Sequence, residues 1–226
     1  MVSTEEDNMK WIAITLVMIF SLAGSSFAES NAMGSVFGTL STANALGQGK
    51  GNFGFGIGLA DNATSFVGSL TYGMSQYTDG RIKIGLADPD HGGDTKFAIG
   101  ADFKWQYWDA TADPKYPFDM ALGGFFEYID FDYASGLQVG GLIMGSHTFV
   151  MQRGGSLTPY GRFNARVESI SYSRPAGSQG DDSETNLKVG LNAGVQWQMT
   201  PTLAFFGEFQ LDGNDGLFLG IDWGVM

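Results

Sequence analysis

The chain has no cysteine, which excludes a disulfide framework, a thiolate metal site, a cysteine nucleophile and an N-terminal lipidated cysteine. Charge is scarce: 16 % of residues are Asp, Glu, Lys or Arg, against ~25 % in ordinary soluble domains. Positive charge is scarcer still, with 12 Lys and Arg against 24 Asp and Glu and a formal net charge of −12. The clustered cations that nucleic-acid phosphates require are therefore missing. There are two histidines, His91 and His147, and no nucleotide loop, metal-protease helix motif or haem motif. The glycine-spaced runs around Gly54 and Gly140 belong to strand-like stretches, with no helix following them to bind phosphate. Glycine never recurs at every third position, which excludes a collagen-type helix. An apolar run able to cross a membrane as a helix is missing too. The uncharged stretch Trp11–Ala28 has a continuous apolar core of about ten residues, too short for ~30 Å of hydrocarbon.

Glycine, aromatics and apolar residues are abundant. The 226 residues include 34 Gly and 18 Phe, with 14 % aromatic and 43 % hydrophobic residues, too apolar for a disordered chain. The N-terminal stretch reads as an address. Lys10 precedes the apolar run Trp11–Phe20, and Ser26-Phe27-Ala28 sets small residues three and one positions before a cut, the pattern of a secretory signal peptide cleaved after Ala28. Glu5, Glu6 and Asp7 conflict with the positive start such peptides have, and initiation at Met9 removes the conflict. The expected division is a signal peptide over 1–28, a linker or plug segment over 29–48, and one β-domain over 49–226. Within 29–48, Val36, Phe37, Leu40 and Leu46 show no firm period, so an extra strand is a third option there.

From residue 49 onward the chain alternates with period two, the mark of strands with one apolar face. Phe53, Phe55, Ile57 and Leu59 alternate with Asn52, Gly54, Gly56 and Gly58; Phe97, Ile99, Ala101, Phe103, Trp105 and Tyr107 oppose Lys96, Gly100, Asp102, Lys104 and Gln106. The pattern runs to the last segment, where Leu217, Leu219, Ile221, Trp223 and Val225 oppose Gly220, Asp222 and Gly224. About ten such segments follow one another in up-and-down order, with eight or twelve as alternatives, separated by turn residues such as Thr200-Pro201-Thr202 and Asp212-Gly213-Asn214-Asp215.

A soluble sandwich also alternates, but three features favour a barrel in a bilayer. The apolar faces carry no Asp, Glu, Lys or Arg, and His147 is their only ionisable side chain apart from tyrosines. Several segments exceed the ~5–6 residues of soluble strands and match the ~9–11 that cross a bilayer at a tilt. Aromatics gather at segment ends: Tyr72, Trp105, Tyr107, Phe118, Trp197 and Trp223 all fall at one end of a meander, as an interfacial girdle requires. In hydrocarbon every strand needs two neighbours, so the sheet must close. The expected fold is all-β: a closed up-and-down antiparallel transmembrane β-barrel.

The mature chain resembles the small outer-membrane β-barrels of Gram-negative-type bacteria, the class of OmpX-, OmpA- and OmpW-type barrels. The most specific piece is the final strand, Phe218 to Met226, where Gly220, Trp223 and Val225 match the terminal strand by which such barrels engage the assembly machinery; Met226 stands where an aromatic commonly closes it. The resemblance implies an outer-membrane location, contact with membrane lipid and the assembly machinery, and both termini on the periplasmic side with the Trp-rich end.

With that orientation the bore would hold Arg81, Lys83, Lys96, Lys104, Arg162, Arg166 and Lys188 against Asp102, Asp119, Glu127, Glu168, Glu208 and Asp222. That set suits either a bore filled by paired side chains or a narrow aqueous path, for which inward glycines such as Gly56, Gly100 and Gly194 leave room. Asp79 falls on the periplasmic side. The extracellular loops collect Asp61, Asp88, Asp90, Asp94, Asp130, Asp132, Asp181, Asp182, Glu184, Asp212 and Asp215. Asp88, Asp90 and Asp94 are the candidate ligands for a divalent cation, Ca2+ or Mg2+, which prefers hard oxygen donors; no other cofactor is expected. No nucleophile is paired with a histidine, so no enzyme activity is expected. The function expected is a structural barrel or narrow passive channel preferring small cationic or neutral solutes. The alternatives are a surface-binding or adhesion module acting through acidic loops, and an uncommonly hydrophobic soluble secreted β-protein.

Overall fold

The computed structural model describes residues 33–61, 63–89, 94–113, 115–130, 134–152, 154–172 and 182–225. Their strands are β1 (Gly51–Ala60), β2 (Ala63–Ser75), β3 (Thr78–Pro89), β4 (Lys96–Trp108), β5 (Asp119–Asp130), β6 (Ala134–Ser146), β7 (Phe149–Val150), β8 (Ser156–Tyr172), β9 (Asp182–Thr200), β10 (Leu203–Leu211) and β11 (Gly216–Val225). Consecutive strands pair antiparallel, β6 pairs directly with β8, and β1 pairs with β11, so the sheet closes. β7 is a two-residue extension beside the start of β8, which leaves ten strands in the barrel wall.

Closure follows from the alternation. In the register Ile221, Phe55, Gly68, Ile84, Ile99, Tyr128 and Leu137 form one row across seven strands. All of these except Gly68 are exposed apolar or aromatic side chains on the outside. Phe55 is 64 % exposed and Trp223 67 %. Soluble monomers confine apolar exposure to limited patches; here the outer wall is apolar all round, and its natural solvent is hydrocarbon. The alternate residues point inward, among them Lys83, Glu127, Arg166 and Glu208, all buried.

The barrel has two unlike ends. Gly51, Val225 and the β2–β3, β4–β5, β6–β8 and β9–β10 connections mark the proximal end. The other five connections mark the distal end, where β8 and β9, at 17 and 19 residues, run on as a paired ribbon to Tyr172 and Asp182.

Residues 33–46 run inside this barrel without regular secondary structure. Met33 and Gly34 donate their amides to Glu168 near the distal end, and Leu46 donates to Asp79 near the proximal end. Gly47 and Gly49, at φ +86° and +78°, then turn the chain back into β1, where the Gly49 amide bonds the Gly73 carbonyl at 2.9 Å. The left-handed backbone there is cheap only for glycine. Met33 therefore lies at the end of the barrel opposite to Val225. Both ends of the chain are expected with the Trp-rich side; the N-terminal end itself lies outside the described residues.

Candidate functional site

The bore is built from inward positions of the wall strands, and its charges meet in three groups. At the distal end Arg166 on β8 pairs with Glu168 at 2.7 Å and lies 3.7 Å from Asp212. In the middle Lys83 on β3 pairs with Glu127 on β5 at 2.6 Å and with Asp102 on β4 at 3.3 Å, while Arg81 holds Asp102 at 2.7 Å. At the proximal end Lys104 lies 3.3 Å from Asp79. Arg162 bonds the Thr39 hydroxyl at 3.0 Å and sits over the Phe125 ring at 4.6 Å. Lys96 and Lys188 occupy half-buried inward positions on β4 and β9, and Asp222 accepts from the Asn52 amide at 2.8 Å.

Two further carboxylates take neutral donors. Glu208 on β10 accepts from the Thr39 amide at 2.6 Å, the Leu40 amide at 2.8 Å, the Tyr160 hydroxyl at 2.6 Å and the Asn192 side chain at 2.8 Å. Asp119 at the start of β5 accepts from Asn44 at 2.8 Å, Gln106 at 3.2 Å and the Ala110 amide at 2.9 Å. A buried carboxylate needs such donors, because leaving one unsatisfied costs several kcal/mol, about 2–7 even for a neutral polar group.

Of the two options the sequence left open, the filled bore is the one observed around residues 37–40, and the inward glycines there are occupied. They make notches for the inner segment. A Cβ on Gly85 or Gly100 would lie 3.0 or 3.1 Å from the Phe37 ring, and one on Gly56 or Gly220 would lie 2.8 or 3.0 Å from Leu40 Cδ1. Phe37 is 1 % exposed, with the Lys83 ammonium 4.9 Å above its ring. The cavities described between segment and wall measure about 20 Å³, beside Thr39, Arg81 and Asp102, and about 10 Å³, beside Leu40 and Lys83. Each holds roughly one water at most, so among the described residues the segment fills the space beside Thr39, Leu40 and the Arg81–Asp102 pair.

Two acids depart from their expected places. Asp79, assigned to the periplasmic side, is 3 % exposed inside the bore. It shares the parity of Arg81 and Lys83, so one further step along the β3 alternation marks it as inward. Asp212, assigned to the outer rim, is likewise 3 % exposed and accepts from the Ser35 amide at 2.9 Å. It lies just past the end of β10, where no alternation speaks for it. Burial raises its carboxyl from the ordinary aspartate range to about 6, against the pull of Arg166 and of the Ser35 and Asn214 amides. Gln106, Gln138 and Gln210, absent from the charge-based list, also reach the inner segment.

The aromatic set gathers proximally: Tyr72 lies opposite Gly51, Trp105 opposite Thr78, Trp197 opposite Leu157, and Trp223 opposite Phe53. Tyr107 lies tilted beside Trp105 with ring centroids 6.0 Å apart, and Phe118 packs at a tilt on Trp108 at 5.7 Å. Of the candidate cation ligands, Asp88 and Asp94 are exposed at the distal end and Asp90 lies outside the described residues. Among the described residues no group of three or more Asp, Glu or His is placed to hold a metal ion. His91 is also outside them; His147 is exposed and packs edge-on against Phe149 at 4.5 Å.

A closed antiparallel barrel with an apolar outer wall and a charged, occupied bore is a transmembrane-type β-barrel. No family model matches the chain, and no curated protein does. Among solved structures, the N-terminal β-barrel domain of Pseudomonas aeruginosa OprF aligns with 79 % of this chain and 99 % of its own, at 11 % identity and a TM-score of 0.38. The KdgM porin aligns over 76 % and 98 %, at 6 % identity and 0.38. Ail, the attachment invasion locus protein of Yersinia pestis, aligns over 79 % and 99 %, at 11 % identity and 0.30. Likenesses this distant carry no argument; the barrel stands on its own strand pairing.

Proposed function

We propose that this protein is a non-enzymatic barrel of a bacterial outer membrane, exported by its N-terminal leader, that provides a narrow cation-preferring passage held shut at rest by residues 33–46. The observation that carries this is the pairing of Glu208 and Asp119 with donors of the inner segment. With that segment withdrawn, both carboxylates would line a water-filled bore together with Lys104 and Arg162, whose segment partners would leave too; the acidic residues of the distal rim, such as Asp88 and Asp94, would favour cations at its mouth. The Arg81–Asp102 and Lys83–Glu127 pairs join wall to wall and do not run through the segment. Small cationic or neutral solutes are the class such a bore would pass.

The absence of cysteine makes a clean test available. The Ala43 amide lies 3.2 Å from Ser146 Oγ, so A43C with S146C can tie the segment to β6. In planar bilayers the reduced double variant should show cation-selective openings that oxidation abolishes. Silence in both states would leave a purely structural barrel, and equal conduction in both would show that the segment is no gate. A second reading, a surface-binding module, draws on the long β8–β9 ribbon at the distal end. Shortening that ribbon should abolish binding to a target surface if this reading holds, and leave conductance intact.

A further inference from the structure

The wall recognises the inner segment mainly through its backbone. Amides of Met33, Gly34, Ser35, Thr39, Leu40, Ala43, Ala45 and Leu46 donate to wall side chains. Carbonyls of Gly34, Ser35, Val36, Leu40, Thr42 and Asn44 accept from Gln138, Gln210, Ser65, Arg81 and Lys104. Bonds to the main chain supply affinity whatever the side chains of the bound segment, and side-chain pockets supply selectivity. Two pockets are built here, the Gly85–Gly100 notch for Phe37 and the Gly56–Gly220 notch for Leu40. Between them only glycine fits at Gly38: its φ is +60°, and a Cβ there would lie 2.8 Å from the Phe218 ring. The occupant's pattern is thus Phe-Gly-x-Leu among small neighbours.

The barrel ladder takes no strand from this occupant. No described residue of 33–46 belongs to a strand pair, and the β1–β11 seam closes without it. Gly47 and Gly49, which join the segment to β1, have open space where a side chain would lie. We propose that the bore is a peptide-binding site for an irregular segment of the Phe-Gly-x-Leu pattern, bent at its glycine and leucine as the resident one is. Residues 33–46 are its resident occupant, and a peptide of the same pattern supplied in trans takes their place. This rests on the segment's ability to leave the bore, as the proposed function does.

The test uses the full chain in detergent micelles and a fluorescein-labelled peptide of residues 33–46. In the chain carrying F37A and L40A the resident segment loses both anchors, and anisotropy should show capture of the peptide at least about tenfold stronger than by the unaltered chain. Capture should vanish when the peptide's own Phe and Leu are Ala, or when the chain also carries G100V. No capture by a variant that keeps heat-modifiable gel migration overturns the proposal, as does capture indifferent to those changes. Should F37A/L40A fail to fold, the A43C/S146C chain decides: the reduced form should take up the peptide and the oxidised form should not, and equal uptake overturns the idea. Binding is read without conductance, so a chain that captures peptide yet stays electrically silent sinks the passage and keeps the peptide site. A chain that conducts but captures nothing does the reverse.

Discussion

Glu208 holds Leu40 in a left-handed backbone conformation. Its carboxylate accepts the Leu40 amide at 2.8 Å and the Thr39 amide at 2.6 Å, and Leu40 sits at φ +43°, a region that costs an ordinary residue roughly 1–2 kcal/mol. Charge-assisted bonds to two consecutive amides offset that cost. They pin the segment at its midpoint, with the Leu40 side chain in the Gly56–Gly220 notch.

Replacing Glu208 with Gln tests this clamp. The amide side chain has one acceptor oxygen, so one of the two amides loses its partner, at about 1.5–3 kcal/mol for a bond to a charged group. Hydrogen exchange at Thr39 and Leu40 should accelerate by roughly ten- to a hundredfold, with exchange in the β1–β11 seam unchanged. Unaltered exchange at both amides would show that the clamp does not hold the segment.

Filling the Phe37 notch should loosen the same segment from the other side. A Cβ on Gly100 would meet Phe37 Cε2 and Lys83 Cε at 3.1 Å and Glu127 Cγ at 3.2 Å, so Gly100→Val displaces the ring. Gly141, exposed on the outer face, has 3.8 Å to its nearest neighbour, and Gly141→Ala should be silent. Protease cleavage within 33–46 should rise for the first variant and not for the second.

Lys83 and Glu127 form a pair in which both side chains are 2 % exposed. Lys83→Met leaves a buried carboxylate without its cation, at about 3–5 kcal/mol, and should lower the temperature at which the barrel shifts to its unfolded gel mobility. Adding Glu127→Gln should recover most of the loss. A double variant no better than the single one would show that Glu127 needs no cation.

The pH response of the distal end should run through Asp212. Its folded carboxyl titrates at about 6, above the ordinary ~3.9, because burial disfavours the charged form. The stabilisation from its proton is therefore full below about 4 and is lost as pH rises through about 6. Arg166 opposes this by favouring the charge, and Glu127 adds to it. Asp212→Asn should flatten the change in exchange at Ser35 between about pH 4 and 6; an unchanged slope would assign the titration elsewhere.

Much of the wall was legible in the sequence because a strand's two faces follow from neighbours two residues apart. Phe53–Leu59 and Phe97–Tyr107 declare an outside and an inside without reference to any other part of the chain. Extending the alternation by one pair would have placed Asp79 inside as well. The inner segment was not legible in this way, since Phe37, Leu40 and Leu46 follow no period.

The sequence by itself determined the outward apolar wall, most of the inward charges and the aromatic end, all of them local or periodic features. Only the tertiary structure decided what fills the bore. The partners of residues 33–46 lie far along the chain, as with Ser35 and Asp212, 177 residues apart, and the notches for Phe37 and Leu40 each take glycines from two strands. Such a site exists only once the sheet has closed.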